Sequence, residues 1–318
     1  MSVEATEIGD EGLGSHGSER YAEAAIAGVR ALAASDASQG RWATLLERAI
    51  KRKRLRLPSL SPTTHRVVRL IGQAHVDLDE LAQAVNGDPV LATRIMGVAN
   101  SPYFRGASEV PNVREALMRM GVREARTLVV VVALRSTLLR SPGLGEAAQK
   151  MWRHSLLTAS ATQEIASEIP PWETAGFLAG LLHDLGQLVV LAFVAELPVW
   201  QADGASLSAS TVGSILDATG ASLGAMVLAS WGFSEALCDA VLGHHAPDEV
   251  EGDAALLAEA MNLGHTIAHR VEDGFPETAQ GLDGDLVARG KRLGLDRVRL
   301  FDIAEEAQAN LEALSKLS

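Results

Sequence analysis

The chain has 318 residues and a mass of 33.6 kDa, enough to bury a core in two compact units or in one elongated helical body. A formal charge of −12 and a pI near 5.2 argue against a protein whose main business is to hold nucleic acid or an anionic membrane through a basic surface. Hydrophobic residues make up 47% but aromatics only 4%, so Ala, Leu and Val dominate, and the expected fold class is all-α.

Cys238 is the single cysteine, which rules out an intrachain disulfide and points to a reducing compartment, with the thiol packed as a small apolar group. The first twenty residues carry acids and no apolar segment, unlike a secretory signal. The longest aliphatic run, LVVVVAL at 128–134, is far short of the ~20 residues a membrane span needs. A cytoplasmic protein without membrane insertion is expected.

In chain order, residues 1 to about 19 lack periodicity and read as disordered, and ERYAEAAIAGVRALAA then reads as a first, accessory helix. A basic helix over about 41–56 ends in the run Lys51, Arg52, Lys53, Arg54 and Arg56. That run is either a solvated helix end, where cations suit the carbonyl pole, or a contact for phosphate or an acidic partner. After Pro58 and Pro62 the entry signals sharpen. Asp77 with Glu80 caps DLDELAQAV, Asp88-Pro89 opens LATRIMGVAN, which ends at Asn100-Ser101-Pro102, and Asn112 with Glu115 caps ALMRM before Gly121 stops it. The four valines of VREARTLVVVVALRSTLL allow a strand, but the length and the flanking Ala, Arg and Leu favour a buried helix ending at Ser141-Pro142.

SPGLGE at 141–146 is the best boundary between two helical halves. Beyond it, KMWRHSLLTASATQEIASEI is amphipathic, Pro170-Pro171 ends it, and WETAGFLAGLLHDLGQLVVLAF follows. Further helices are expected around 209–217, 222–231, 234–243, 253–271 and 300–316, with Gly220, Gly232 and Gly243 near their ends. The expected organisation is an N-terminal extension over 1–50, helical subdomains over 51–143 and 144–275, and a helical tail over 276–318.

The chemistry sits in the second half. His154, the pair His183-Asp184 and the pair His244-His245 lie on separate helical stretches and can converge on one divalent metal, which needs neutral imidazoles, carboxylates and an open position for water. Each has a plainer reading. His154 suits a hydrogen-bonded buried imidazole, and His183 with Asp184 a polar network that can extend to His154. His244 and His245 suit a helix C-terminus, where an imidazole bonds a carbonyl. His265 and His269, one turn apart, could chelate Zn²⁺, although no third ligand is obvious, and Asn262 and Arg270 read as an exposed polar face. There is no Gly-rich phosphate loop, no GxSxG elbow and no base signature beside Cys238. Trp152, Trp172, Trp200 and Trp231 read as core wedges.

Six segments in order, LPSLSP, NGDPVLATRIMGVANSPYF, NVREALMRMGVREARTLVV, MWRHSLLTASATQEIA, FLAGLLHDLGQLVV and ASWGFSEALCDAVLGHHAPDE, resemble the HDOD family of bacterial signalling proteins, a divergent branch of the HD phosphohydrolase superfamily. The resemblance spans about 57–250 and implies two packed helical subdomains, the C-terminal one HD-like, with regulatory output. It also places His154 at the superfamily's first metal-binding histidine, His183 and Asp184 at the namesake pair, and His244-His245 at a histidine pair of two-metal relatives. Two positions depart from that pattern: Ser222 where many relatives have histidine, and His265 about where a catalytic relative has its last metal-binding aspartate. Each loss of a carboxylate removes charge and an oxygen ligand preferred by Mn²⁺ or Mg²⁺, which disfavours a two-metal phosphodiesterase.

The expectation is therefore a noncatalytic signal-transduction protein with a protein partner, unlikely to bind nucleic acid. Its pocket, drawn from His154, His183, Asp184, His244 and His265, requires no cofactor and admits at most a single divalent metal. The alternatives are a metal-dependent phosphohydrolase or cyclic-dinucleotide phosphodiesterase using His183 and Asp184, and binding of a cyclic dinucleotide without turnover through Arg119, Arg123 or Arg126.

Overall fold

The computed structural model describes residues 16–36, 40–55, 57–58, 60–71, 76–101, 104, 109–138, 145–196 and 209–317. The expected disorder at the very start, Arg56 of the basic run, Pro102, the helix end at Ser141-Pro142, most of the SPGLGE boundary and Trp200 lie outside them. Among the described residues there are helices and turns and no strand, so the chain is all-α. The helices are α1 (His16–Ser35), α2 (Gly40–Lys51), α3 (Pro62–Ile71), α4 (Leu78–Asn86), α5 (Pro89–Ala99), α6 (Val113–Met120), α7 (Val122–Leu138) and α8 (Gly145–Ala166). They continue with α9 (Gly176–Leu182), α10 (Leu185–Glu196), α11 (Ala209–Ser230), α12 (Glu235–Gly243), α13 (Ala254–Gly274), α14 (Gly284–Arg292) and α15 (Arg297–Leu317). Two compact units draw on separate stretches of chain: residues 1–59, 141–149 and 182–262 form the first, and 60–140, 150–181 and 263–318 the second.

In the first unit, α11 is the central helix, packed against α1, α10 and α12, and α1 also packs on α2. The N-terminal helix is thus part of this core rather than an accessory: Tyr21, Ala25 and Val29 are buried, and Tyr21 Oη donates to Asp239 Oδ1 at 2.8 Å, where Arg20 also pairs. The basic run is not helical to residue 56. α2 stops at Lys51, which pairs with Glu47, and Lys53 takes a left-handed φ of 52° in the turn that follows.

Gly220, expected near a helix end, sits inside the continuous α11. The reason is tertiary. Gly186 of α10 lies against it so closely that a Cβ at Gly186 would stand 1.9 Å from the Gly220 oxygen and 2.4 Å from the Gly224 nitrogen. A glycine placed for close helix crossing costs some helix propensity but leaves the hydrogen-bond ladder whole.

The second unit holds α3 to α7, packed mutually, with α14 on α15. The three expected caps are present. Asp77 accepts from the Asp79 and Glu80 amides, Asp88 from Val90 and Leu91, and Asn112 from Glu115, while Gly121 ends α6 at a φ of 83°. The valine run is helical: Val129, Val130, Val131 and Val132 are all buried in α7, so burial overrides their strand preference. α14, opened by Asp283 accepting from the Leu286 amide, lies in the stretch expected to be a helical tail, where only the helix around 300–316 was placed.

Two stretches, Gly176–Ala195 and Ser210–Ser230, are long and apolar enough to cross a membrane by length and composition. The first is broken by a turn at residues 183–184, and 72% and 56% of their apolar windows are buried inside the protein, as in core helices.

Candidate functional site

The stretch read as one helix around His183 and Asp184 is two helices, α9 and α10, with the pair in the turn between them. The Gln187 amide donates to the Asp184 carbonyl at 2.9 Å, which restarts the chain as α10. The crossing of Gly186 over Gly220 and Gly224 then fixes the pair beside α11, within its own unit. His183 is fully buried and its Nε2 lies 3.1 Å from Asp184 Oδ2, close enough for an ion pair. A buried carboxylate is costly without a polar partner or an ion beside it.

His244 comes to the same place. It caps the C-terminus of α12, and its Nδ1 lies 2.7 Å from the Val241 carbonyl. A carbonyl only accepts, so Nδ1 carries the proton and Nε2 keeps its lone pair, the ligating form of imidazole. Burial, reinforced by the neighbouring His245 and His183, pushes the His244 pKa down to about 3. The His183 and His244 rings meet edge to face at 5.3 Å, and exposed His245 tilts over His244 at 3.9 Å. Asn262, expected on an exposed polar face, is instead buried and donates through Nδ2 to the His244 carbonyl at 2.8 Å. Buried Ser222 donates to the Thr219 carbonyl of its own helix at 3.0 Å. His183 and Asp184 thus offer an imidazole and a carboxylate side by side, with the His244 ring edge to face against His183. Ser222 supplies neither imidazole nor carboxylate.

The other expected site residues, His154 and His265, belong to the second unit. His154, in the middle of α8, directs Nδ1 at Glu272 Oε2 at 2.9 Å, and its Nε2 is 3.5 Å from Thr158 Oγ1. The His265 ring stands 5.0 Å from that of His154 and 4.5 Å from that of His269, and the rings of His154 and His269 are 4.6 Å apart. Gly264 makes this possible: a Cβ there would meet the Thr162 backbone nitrogen at 2.9 Å, so α13 comes against α8 where His265 is carried. Glu272 was missed by sequence reasoning. Its spacing of three from His269 was the available signal, but its partner His154 is 118 residues away.

The five expected residues therefore divide into two groups, His183, Asp184 and His244 in one unit and His154 and His265 in the other. The arginines proposed for phosphate are committed to protein oxygens at two of three positions: Arg123 pairs with Glu164, and buried Arg126 donates to the Ile71 and Thr174 carbonyls. Burial lowers the pKa of Arg126. Cys238 is buried, and desolvation raises its thiol to about 12, as suits a small apolar group. Trp231 is a buried wedge whose Nε1 donates to the Pro58 carbonyl at 3.0 Å.

The HDOD domain profile matches residues 57–247, more than half of the chain. An uncharacterized protein of Treponema pallidum (strain Nichols) is 25% identical over 206 residues, which cover 61% of this chain and 39% of that protein. The chain therefore spans about two fifths of the length of that curated relative. Among solved structures, a proposed phosphohydrolase of Shewanella amazonensis SB2B superposes with a TM-score of 0.60 at 22% identity, over 82% of this chain and 95% of that one. A proposed signal transduction protein of Marinobacter aquaeolei VT8 gives 0.61 at 24% identity, over 82% of this chain and 60% of that one. At these identities the likeness is one of fold.

Proposed function

The chain belongs to the HDOD family, and on that premise we propose that it acts as a noncatalytic regulatory protein in bacterial signal transduction, through binding of a partner protein. The observation that carries this reading is Ser222. At a position where the resemblance implies a histidine, its hydroxyl is turned to the Thr219 carbonyl of its own helix and gives no imidazole or carboxylate to the pocket. A set short of oxygen ligands suits a structural or ligand-sensing pocket better than two-metal hydrolysis.

The second reading, a metal-dependent phosphohydrolase, is favoured by one observation, the buried His183 and Asp184 with their donor atoms 3.1 Å apart. There a divalent ion would supply a water of lowered pKa, held by His183 and Asp184 with His244 in its neutral form behind them. Capture from native lysate on the immobilised full chain tests the first reading. A partner retained in near-stoichiometric amount by wild type and by Asp184→Asn is expected. No retained partner, or one lost in Asp184→Asn, would count against an adaptor whose pocket chemistry is dispensable.

A further inference from the structure

Four side chains meet on the second unit, and two of them, His269 and Glu272, have no part in the pocket drawn from the family resemblance. His265, His269 and Glu272 are spaced i, i+4 and i+7 on α13 and share one face of it, and His154 reaches that face from α8. We propose that His154, His269 and Glu272 bind one zinc-class divalent ion, with the fourth position taken by water. The sequence offers His265 and His269 as a bare helical pair, and the fold supplies the ligands missing from it.

One donor atom from each of His154, His269 and Glu272 lies within 4.8 Å of the others. Glu272 Oε2 is 2.9 Å from His154 Nδ1 and 3.9 Å from His269 Nδ1. Ligands about 2.0–2.2 Å from a tetrahedral ion stand about 3.4 Å from each other, so the two measured spacings straddle the value and small side-chain rotations close the site. Imidazoles with one carboxylate suit Zn²⁺ over Mg²⁺ or Ca²⁺, which prefer oxygen shells. With Nδ1 on the ion, His154 carries its proton on Nε2, and Thr158 Oγ1 at 3.5 Å is the outer partner that fixes the ring. His154 is buried and anchors the site, while His269 and Glu272, with side chains 57% and 31% exposed, leave it open to solvent ions. This site needs no hydrolytic activity; it borrows His154 from the pocket drawn from the resemblance and adds His269 and Glu272 to it.

Calorimetry and thermal unfolding with Zn²⁺, and the visible spectrum with Co²⁺, test it on the full chain and on the variants His269→Ala, Glu272→Gln and Asp184→Asn. The first two change exposed side chains and leave folding intact. The expected result is one equivalent of Zn²⁺, a rise in unfolding temperature, a four-coordinate Co²⁺ spectrum, and affinity weakened at least about tenfold by His269→Ala and by Glu272→Gln. The proposal stands on those two losses whatever Asp184→Asn does. It is overturned if wild type binds no Zn²⁺, or if either the His269 or the Glu272 variant binds it as tightly as wild type.

Discussion

Replacing Gly186 by alanine tests how the His183-Asp184 turn is held. The added methyl would lie 1.9 Å from the Gly220 carbonyl oxygen and 2.4 Å from the Gly224 amide nitrogen, where real Cβ contacts essentially never fall below 3.0 Å. Both obstacles are backbone atoms inside α11, so no rotamer change relieves them, and α10 must move away by about 1 Å or more. Overpacking of this kind costs about 1–3 kcal/mol, and a rigid backbone on both sides puts Gly186→Ala at the upper end. At roughly 2–4 °C per kcal/mol for a domain of this class, unfolding should come at least about 6 °C earlier. Gly213→Ala on α11 is the control. Nothing lies within 4 Å of its Cβ, so the same exchange should be neutral or stabilise by up to about 1 kcal/mol through helix propensity. Differential scanning calorimetry of the two variants compares them, and an unchanged or raised transition in Gly186→Ala would refute the close crossing.

Three further outcomes follow. His244 titrates near 6.5 when unfolded and near 3 when buried, so the unfolded chain binds more protons between those values and stability falls as pH drops through that window. From pH 7 to pH 5 the loss is about 2 kcal/mol, read by urea unfolding, and a His244→Gln variant with the same pH slope as wild type would contradict it. Asn262→Leu keeps the volume but removes the donor to the buried His244 carbonyl and should cost about 1–3 kcal/mol; a loss under a few tenths would show that bond to be dispensable. Cys238, buried and with its thiol raised to about 12, should label with a thiol reagent only as fast as the protein opens, and labelling at the rate of a free thiol would place it at the surface.

What the sequence made legible was local. The caps at Asp77, Asp88 and Asn112 satisfy amides two or three residues on, and Pro89 suits the first helical turn, so neighbouring letters carried the whole signal. The family resemblance rested on six such segments in order. What escaped was set by distant contacts. The turn at His183 and the continuity of α11 through Gly220 depend on one interhelical crossing, which no single segment encodes. Asn262 looked like surface on a helix wheel, yet it is buried at the His244 carbonyl. Glu272 faces His154 only because Gly264 lets α13 approach α8, so a helical pair without a third ligand became a cluster of four. The His244 cap was the reverse case: helix-end chemistry alone anticipated the bond to a terminal carbonyl that the structure has.

Turnover measures most directly whether His183 and Asp184 form a working site. The purified protein loaded in turn with Mn²⁺, Fe²⁺ and Zn²⁺ is offered cyclic dinucleotides and nucleotides beside Asp184→Ala. Wild type is expected not to exceed the variant. Enzyme-like, metal-dependent hydrolysis that disappears in Asp184→Ala would contradict it and establish His183 and Asp184 as a working site.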